Sequence, residues 1–203
     1  MKDNNDNARR LFNDLCNIKN NHSWARRLNS IVDHLGRSNI RLFFNPQVNY
    51  YPTIKNRLRD QFIQDWYQSV ISTSKLEYYS QFKKKFEFES YLNKISNNNL
   101  GNTLTRFRLG SHNLEIETGR HLNMPRDHKI CKLCNQSMIE SEYHFLMFCP
   151  KYSYLRSTYL NGSSWPSLFR FYNIMSSENY RTVLNTSKFL KEAFIIRSNT
   201  LTQ

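Results

Sequence analysis

Three cysteines and one histidine stand at a spacing that suits a metal ion: Cys131-Lys132-Leu133-Cys134, nine residues, His144, four more, then Cys149. Two thiolates separated by two residues can grip one ion from a single tight turn. Three thiolates and one imidazole complete a closed tetrahedral set, which suits structural zinc and leaves no position for a reactive water. In a reducing compartment such clustering favours metal over disulfide, and a redox Cys-x-x-Cys is expected beside a βαβ pattern that this sequence lacks. His121 and His128 lie close enough to replace a ligand, although His144 has the better spacing. The remaining thiol, Cys16, sits next to the apolar face of a predicted helix and reads as a small buried hydrophobe.

Those ligands need specific local structure to meet. Asn135, directly after the first pair, tolerates the left-handed conformation that a tight metal-binding turn often needs. The second pair is expected on a short helix from Tyr143 to Phe148, with Ser141 as N-cap and Glu142 at its positive start. Five positions along an ideal helix rotate a side chain by roughly 140°, so His144 and Cys149 cannot both reach one ion from mid-helix. Pro150 resolves the conflict. The residue before a proline is pushed out of the helical region, so Cys149 can swing back as the helix ends.

Helical spacing dominates the rest, and a mainly α fold is predicted. Residues 8–18 and 23–35 read as two helices, the second closed by Gly36. From Pro52 to Ser72, Ile54, Leu58, Phe62, Trp66 and Val70 recur every four residues, the clearest amphipathic pattern in the chain. Residues 76–95 read as two shorter helices. The run Asn97-Asn98-Asn99 with Gly101 marks an internal boundary. It separates a helical region, 1–99, from a zinc-centred module, 100–160. A loop at 161–166 then leads into a helical tail, 161–203, packing on that module, whose last helix at about 186–197 buries Phe189, Leu190 and Phe194.

The charge is one-sided. The 203 residues carry 29 Lys and Arg against 16 Asp and Glu, a net +13, and the excess is +7 over residues 1–100 and +6 over the remainder. A folded chain this basic throughout is predisposed towards phosphate polyanions, RNA or DNA. No apolar run reaches the length of a membrane span and the N-terminus shows no signal-peptide core, so an intracellular place, nuclear or cytoplasmic, is expected. Arg106, Arg108, Arg120, Arg126, Lys129 and Lys132 cluster in sequence around the metal motif, with Tyr143, Phe145, Tyr152 and Tyr154 nearby. Cations beside aromatics suit backbone contacts plus base stacking, although such aromatics are more often core than stacking platform. Arg108 has a competing role as a buried arginine paired with Glu115 or Glu117. Lys83, Lys84 and Lys85 read as a solvated face, with phosphate contact as the alternative.

The run Leu104 to Arg120 (LTRFRLGSHNLEIETGR), followed by Ile130 to Cys134 (ICKLC) and Glu142 to Pro150 (EYHFLMFCP), resembles the C-terminal region of non-LTR (LINE-type) retrotransposon polyproteins. In that family the region follows the reverse transcriptase domain and ends in a CCHC zinc motif. The wide spacing before His144 is similar to the retrotransposon version, not to the compact retroviral knuckle. More loosely, the resemblance extends to residues 58–66, 82–89 and 188–197. It implies zinc as cofactor and a grip on template RNA or target DNA. The alternative is a structural or protein-interaction scaffold that packs against a reverse transcriptase domain. Catalysis is not expected. Polymerase chemistry needs clustered carboxylates to hold two metal ions, yet no two Asp are adjacent here and the Tyr-x-Asp-Asp signature is absent, as is any constellation resembling the family's endonucleases.

Overall fold

The computed structural model describes residues 51–160 and 166–202, together with helical positions at Arg10, Leu11, Asp14, Arg26, Arg27, Ser30, Ile31 and Asp33. The rest of the predicted helices 8–18 and 23–35, with Cys16 and Gly36, lies outside the described residues, as does most of the 161–166 loop. The chain divides into two compact units, residues 1–65 and 66–203. Among the described residues the fold is mainly α, as the periodicity predicts. Its extended backbone pairs only at one antiparallel bridge, between Ile130 and Ile139.

The first long helix, α1, runs Tyr51–Ser72 with Pro52 in its first turn, where a missing N–H costs nothing. Its predicted apolar face is buried only at Val70, whereas Leu58 and Phe62 keep about half of their surface exposed, at 49% and 58%. After it come a 3₁₀ turn, Ser74–Leu76, and two single-turn helices, α2 (Tyr79–Phe82) and α3 (Tyr91–Lys94). Lys83 is extended and ends α2.

The stretch expected as a boundary is a helix start. The Asn97 side chain accepts hydrogen bonds from the amides of Asn99 and Leu100, capping α4 (Asn98–Arg108). Leu100, Leu104 and Phe107 recur at three and four residues and face inward together. Gly110 stops the chain beyond α4 in the left-handed region, with φ +61 and a place where a Cβ would lie 2.7 Å from the Lys75 carbonyl. Then follow α5 (Glu115–His121), α6 (Ser153–Tyr159), α7 (Leu168–Met175) and α8 (Tyr180–Leu201).

α8 begins earlier than its apolar pattern suggests, because Asn179 accepts the Thr182 amide at 3.1 Å and caps it. It packs along α4 and α6. Between them lies an aromatic core: Phe145 stacks on Phe194 at 4.8 Å, approaches Tyr152 at 4.7 Å and meets Phe107 at 5.9 Å. Cys131 and Cys149 belong to this same buried cluster. No helix among the described residues is long and apolar enough to cross a membrane.

Candidate metal centre

The first two ligands come from a small hairpin. The Cys131 amide donates to the Met138 carbonyl at 2.9 Å and the Glu140 amide donates to the Lys129 carbonyl at 2.8 Å. The Ile130–Ile139 bridge closes its stem. The left-handed residue of its tip is Ser137, at φ +50, not Asn135. The reversal is needed where the chain turns back towards Met138, rather than directly after Cys134.

The second pair comes from a turn whose hydrogen bonding solves the spacing problem. Ser141 accepts the His144 amide at 3.2 Å, as an N-cap should. From His144 to Phe148 the backbone forms a π turn, and the Cys149 amide donates to the His144 carbonyl at 2.8 Å. A π turn links residues five apart, so it brings together two side chains that an α-helix would rotate away. Cys149 itself is extended, with φ −52 and ψ 119, ahead of Pro150. Both devices act: the proline releases Cys149 and the wider turn aligns it.

The outcome is one cluster. The ligand atoms of Cys131, Cys134, His144 and Cys149 all lie within 4.8 Å of one another. Cys134 Sγ is 3.4 Å from His144 Nε2, and the sulfurs of Cys131 and Cys149 are 4.0 Å apart. A zinc ion with ordinary bond lengths sets tetrahedral edges of about 3.6 Å for sulfur to nitrogen and about 3.8 Å for sulfur to sulfur. Those two distances fall within a few tenths of an ångström of those edges and every other pair lies within 4.8 Å, so the residues are compatible with a metal ion of this kind. His121 and His128 stay outside, their imidazoles exposed beside Glu117 and Asp127.

The thiols respond to one another and to burial. The Cys131 proton is held so that its pKa is pushed up to about 12, first by its hydrogen bond with Cys149 and then by burial. Burial raises Cys134, while the hydrogen bond from Cys131 lowers Cys149. A bound dication reverses the burial effect, because it favours the thiolate form of every ligand.

A charged layer behind the ligands had no counterpart in the sequence reading. Glu140, 1% exposed, accepts from Arg197 Nε at 2.9 Å and Nη2 at 2.7 Å, from the Glu115 amide at 2.8 Å, and from the Cys131 thiol at 3.9 Å. Arg197 also reaches Glu115 Oε1 at 3.3 Å, and Lys132 covers that oxygen at 2.9 Å. Burial opposes the Arg197 charge, but Glu140 and Glu115 together outweigh it and raise the guanidinium pKa. One sequence signal was present: Arg197 lies four and seven residues after Ala193 and Leu190, on the buried stripe of α8.

The six candidate nucleic-acid cations fall in different environments. Arg108 is buried, paired with Glu89 at 3.1 Å and placed between the rings of Phe82 and Tyr91. Its partner is thus neither Glu115 nor Glu117. Lys129 is buried, its stem packed against Gly119. Arg120 pairs with Glu117 at 2.5 Å, and Arg126 holds Glu77 through two bonds at 2.6 and 3.1 Å. Lys132 is exposed although paired with Glu115, and Arg106 is exposed, its Nε donating to the Ser111 carbonyl at 3.0 Å. Of the nearby aromatics, Phe145 and Tyr152 are core, Tyr143 packs on Phe148 and Phe171, and Tyr154 is 78% exposed. Compared with protein-family models, with curated proteins and with solved structures, the chain matches none of them.

Proposed function

We propose that this chain is a zinc-built, non-catalytic nucleic-acid-binding region of the kind found after the reverse transcriptase domain in non-LTR retrotransposon polyproteins. The observation that carries the reading is the convergence of three thiols and one imidazole within 4.8 Å in a chain of net charge +13. Cys131, Cys134, His144 and Cys149 would hold the ion, whose closed coordination supplies structure and no reactive water. Arg106, Arg126 and Lys132 are the solvent-facing cations of the six candidates and the ones able to reach phosphate. Arg126 and Lys132 must share that contact with Glu77 and Glu115.

The test is elemental analysis of the purified chain, followed by fluorescence anisotropy with RNA and DNA oligonucleotides across a salt series. One zinc per chain is expected, with log K falling linearly against log salt, because phosphate contacts release counterions. Metal-free protein, or no binding at 50 mM salt, would sink the reading. A scaffold role has its own supporting observation in the half-exposed Leu58 and Phe62 of α1. It predicts that changing both to Ser weakens association with a reverse transcriptase domain and leaves polynucleotide affinity unchanged.

A further inference from the structure

The lysine run reads in the sequence as a solvated face, but the fold gives it a cleft. Between residues 82–91 and the 176–178 turn that follows α7 lies a cavity of about 280 Å³. Lys83, Lys84 and Lys85 line it, with Arg108 and Phe88 among the other walls. Lys83 is engaged, pairing with Glu89 at 3.0 Å and donating to the Glu87 carbonyl at 2.7 Å. Lys84 and Lys85 are exposed and hold no carboxylate; the Lys84 ammonium donates only to the Ser80 carbonyl, at 2.8 Å, and the Lys85 ammonium makes no hydrogen bond or ion pair.

This sets Lys84 and Lys85 apart from Arg120, Arg126 and Lys132, each of which is already held by a glutamate. A cation paired at 3 Å with a carboxylate has given up much of its attraction for a further anion. Two adjacent lysines without one have not. The acids of the cleft are Glu87, Glu89 and Glu178. Glu89 is occupied by Lys83 and Arg108, which leaves Glu87 and Glu178 to set against Lys84 and Lys85. Lys94 donates to the Glu178 carbonyl at 2.7 Å, adding a further cation at the 178 side.

The cleft also has a rigid floor and an open aromatic. The Arg108 guanidinium is more than nine-tenths buried, lies within 5 Å of both ring centres of Phe82 and Tyr91, and leaves its Nε without a hydrogen-bond partner. Phe88, at the rim, is 67% exposed and contacts no other ring. A large aromatic standing in solvent beside unpaired lysines suits a ligand that brings both phosphates and flat bases. Duplexes hide their bases, whereas single strands present them.

We propose that this cleft binds single-stranded polynucleotide, with Lys84 and Lys85 contacting backbone phosphates and Phe88 stacking on a base. The inference rests on the nucleic-acid reading above and adds a second surface to it. The experiment uses the full-length, zinc-loaded chain and anisotropy with a single-stranded oligonucleotide of RNA, one of DNA, and a matched duplex, across salt. Replacing Lys84 and Lys85 together by Ala should weaken single-strand binding and make the salt slope shallower by roughly 1.4, at about 0.7 per phosphate contact. Phe88→Ala should weaken single-strand binding about 5- to 150-fold, leaving the slope and the duplex affinity unchanged. Replacing both lysines by Arg should retain affinity. All three variants alter exposed side chains, and unchanged zinc content and thermal melting establish that each is folded.

If wild type binds with the expected salt dependence while the lysine and Phe88 variants match it, the cleft assignment is overturned and the nucleic-acid reading stands. If wild type binds no polynucleotide, both fall. A loss of binding to an acidic peptide, with single-strand affinity intact in the same variants, would assign the cleft to a protein partner and refute the proposal.

Discussion

Arg197→Met tests whether the charged layer behind the ligands holds the fold together. The substitution keeps most of the apolar stem and deletes the cation that two buried carboxylates share, Glu140 at 1% exposure and Glu115 at 8%. Lys132 still covers Glu115, so Glu140 is the group left uncompensated. Removing one partner of a buried pair costs about 3–5 kcal/mol. For a cooperative unit of this size, each kcal/mol shifts Tm by about 3 °C, so a fall of roughly 9–15 °C is expected. Glu140 also accepts the Cys131 thiol at 3.9 Å, and once that sulfur is a metal-bound thiolate the two negative groups face each other with Arg197 alongside. Losing that outer partner should weaken zinc affinity about 10- to 100-fold. The assays are differential scanning calorimetry and zinc competition against a chromogenic chelator. Adding Glu140→Met should restore much of the lost stability, since the stranded charge is then gone. A Tm within 2 °C of wild type together with unchanged zinc affinity would refute the argument.

Cys134→Ser should abolish stoichiometric zinc and remove on the order of 10 kcal/mol of apparent folding free energy, as chelation should in wild type; melting that ignores a strong chelator would contradict this. Loading the reduced, metal-free chain with zinc at pH 7 should release about two to three protons, since Cys131 and Cys134 are held protonated while Cys149 is lowered, and affinity should fall as pH falls. Isothermal titration in buffers of different ionisation enthalpy measures that number, and zero release would mean the thiols are not ligands. Replacing Arg126 and Lys132 by Ala should make the duplex salt slope shallower by at most about 1.8, less if Glu77 and Glu115 keep their hold; a binding titration at four salt concentrations decides it. Given primer, template, nucleotides and magnesium, the chain should extend nothing, and extension that disappears on mutating one of its own Asp residues would overturn the non-catalytic reading.

The Cys131, Cys134, His144 and Cys149 cluster was legible because its chemistry is local: three cysteines and a histidine at a fixed spacing and a proline that forces Cys149 out of a helix. The device that aligns His144 with Cys149 was not, since nothing in the HFLMF run distinguishes π from α hydrogen bonding. Helices were legible where apolar residues recur, but the caps at Asn97 and Asn179 were not: the asparagine run reads as a boundary, and Asn179 lies ahead of the apolar pattern of α8. The apolar stripe of α1 misled about burial: periodicity identifies a face but not what covers it. Arg108 shows the converse. Its position on the inner side of α4 was readable, but its partner Glu89 comes from an irregular segment whose path no periodicity encodes.

The nine residues between Cys134 and His144 explain why metal and fold should be lost together. They carry Ile139, which bridges Ile130, then Glu140, which binds Arg197 of α8, then Ser141, which caps the turn bearing His144. A knuckle with a short central spacer has no room for these three roles and can fold around its ion alone. Here Cys131 and Cys149 lie in the same buried cluster as Phe107 of α4 and Phe189 of α8, and Arg156 of α6 donates to the Cys149 carbonyl at 2.5 Å. The sequence alone suggests that metal loss would be felt mainly over residues 120–155. The packing extends that reach, since α4, α6 and α8 all rest on the ligand-bearing segment. Hydrogen exchange after chelation should therefore show lost protection in α8 around Leu190 and Ala193 as well as in the hairpin. If α8 stays fully protected while residues 129–149 exchange freely, the centre is a separable knuckle and this coupling is wrong.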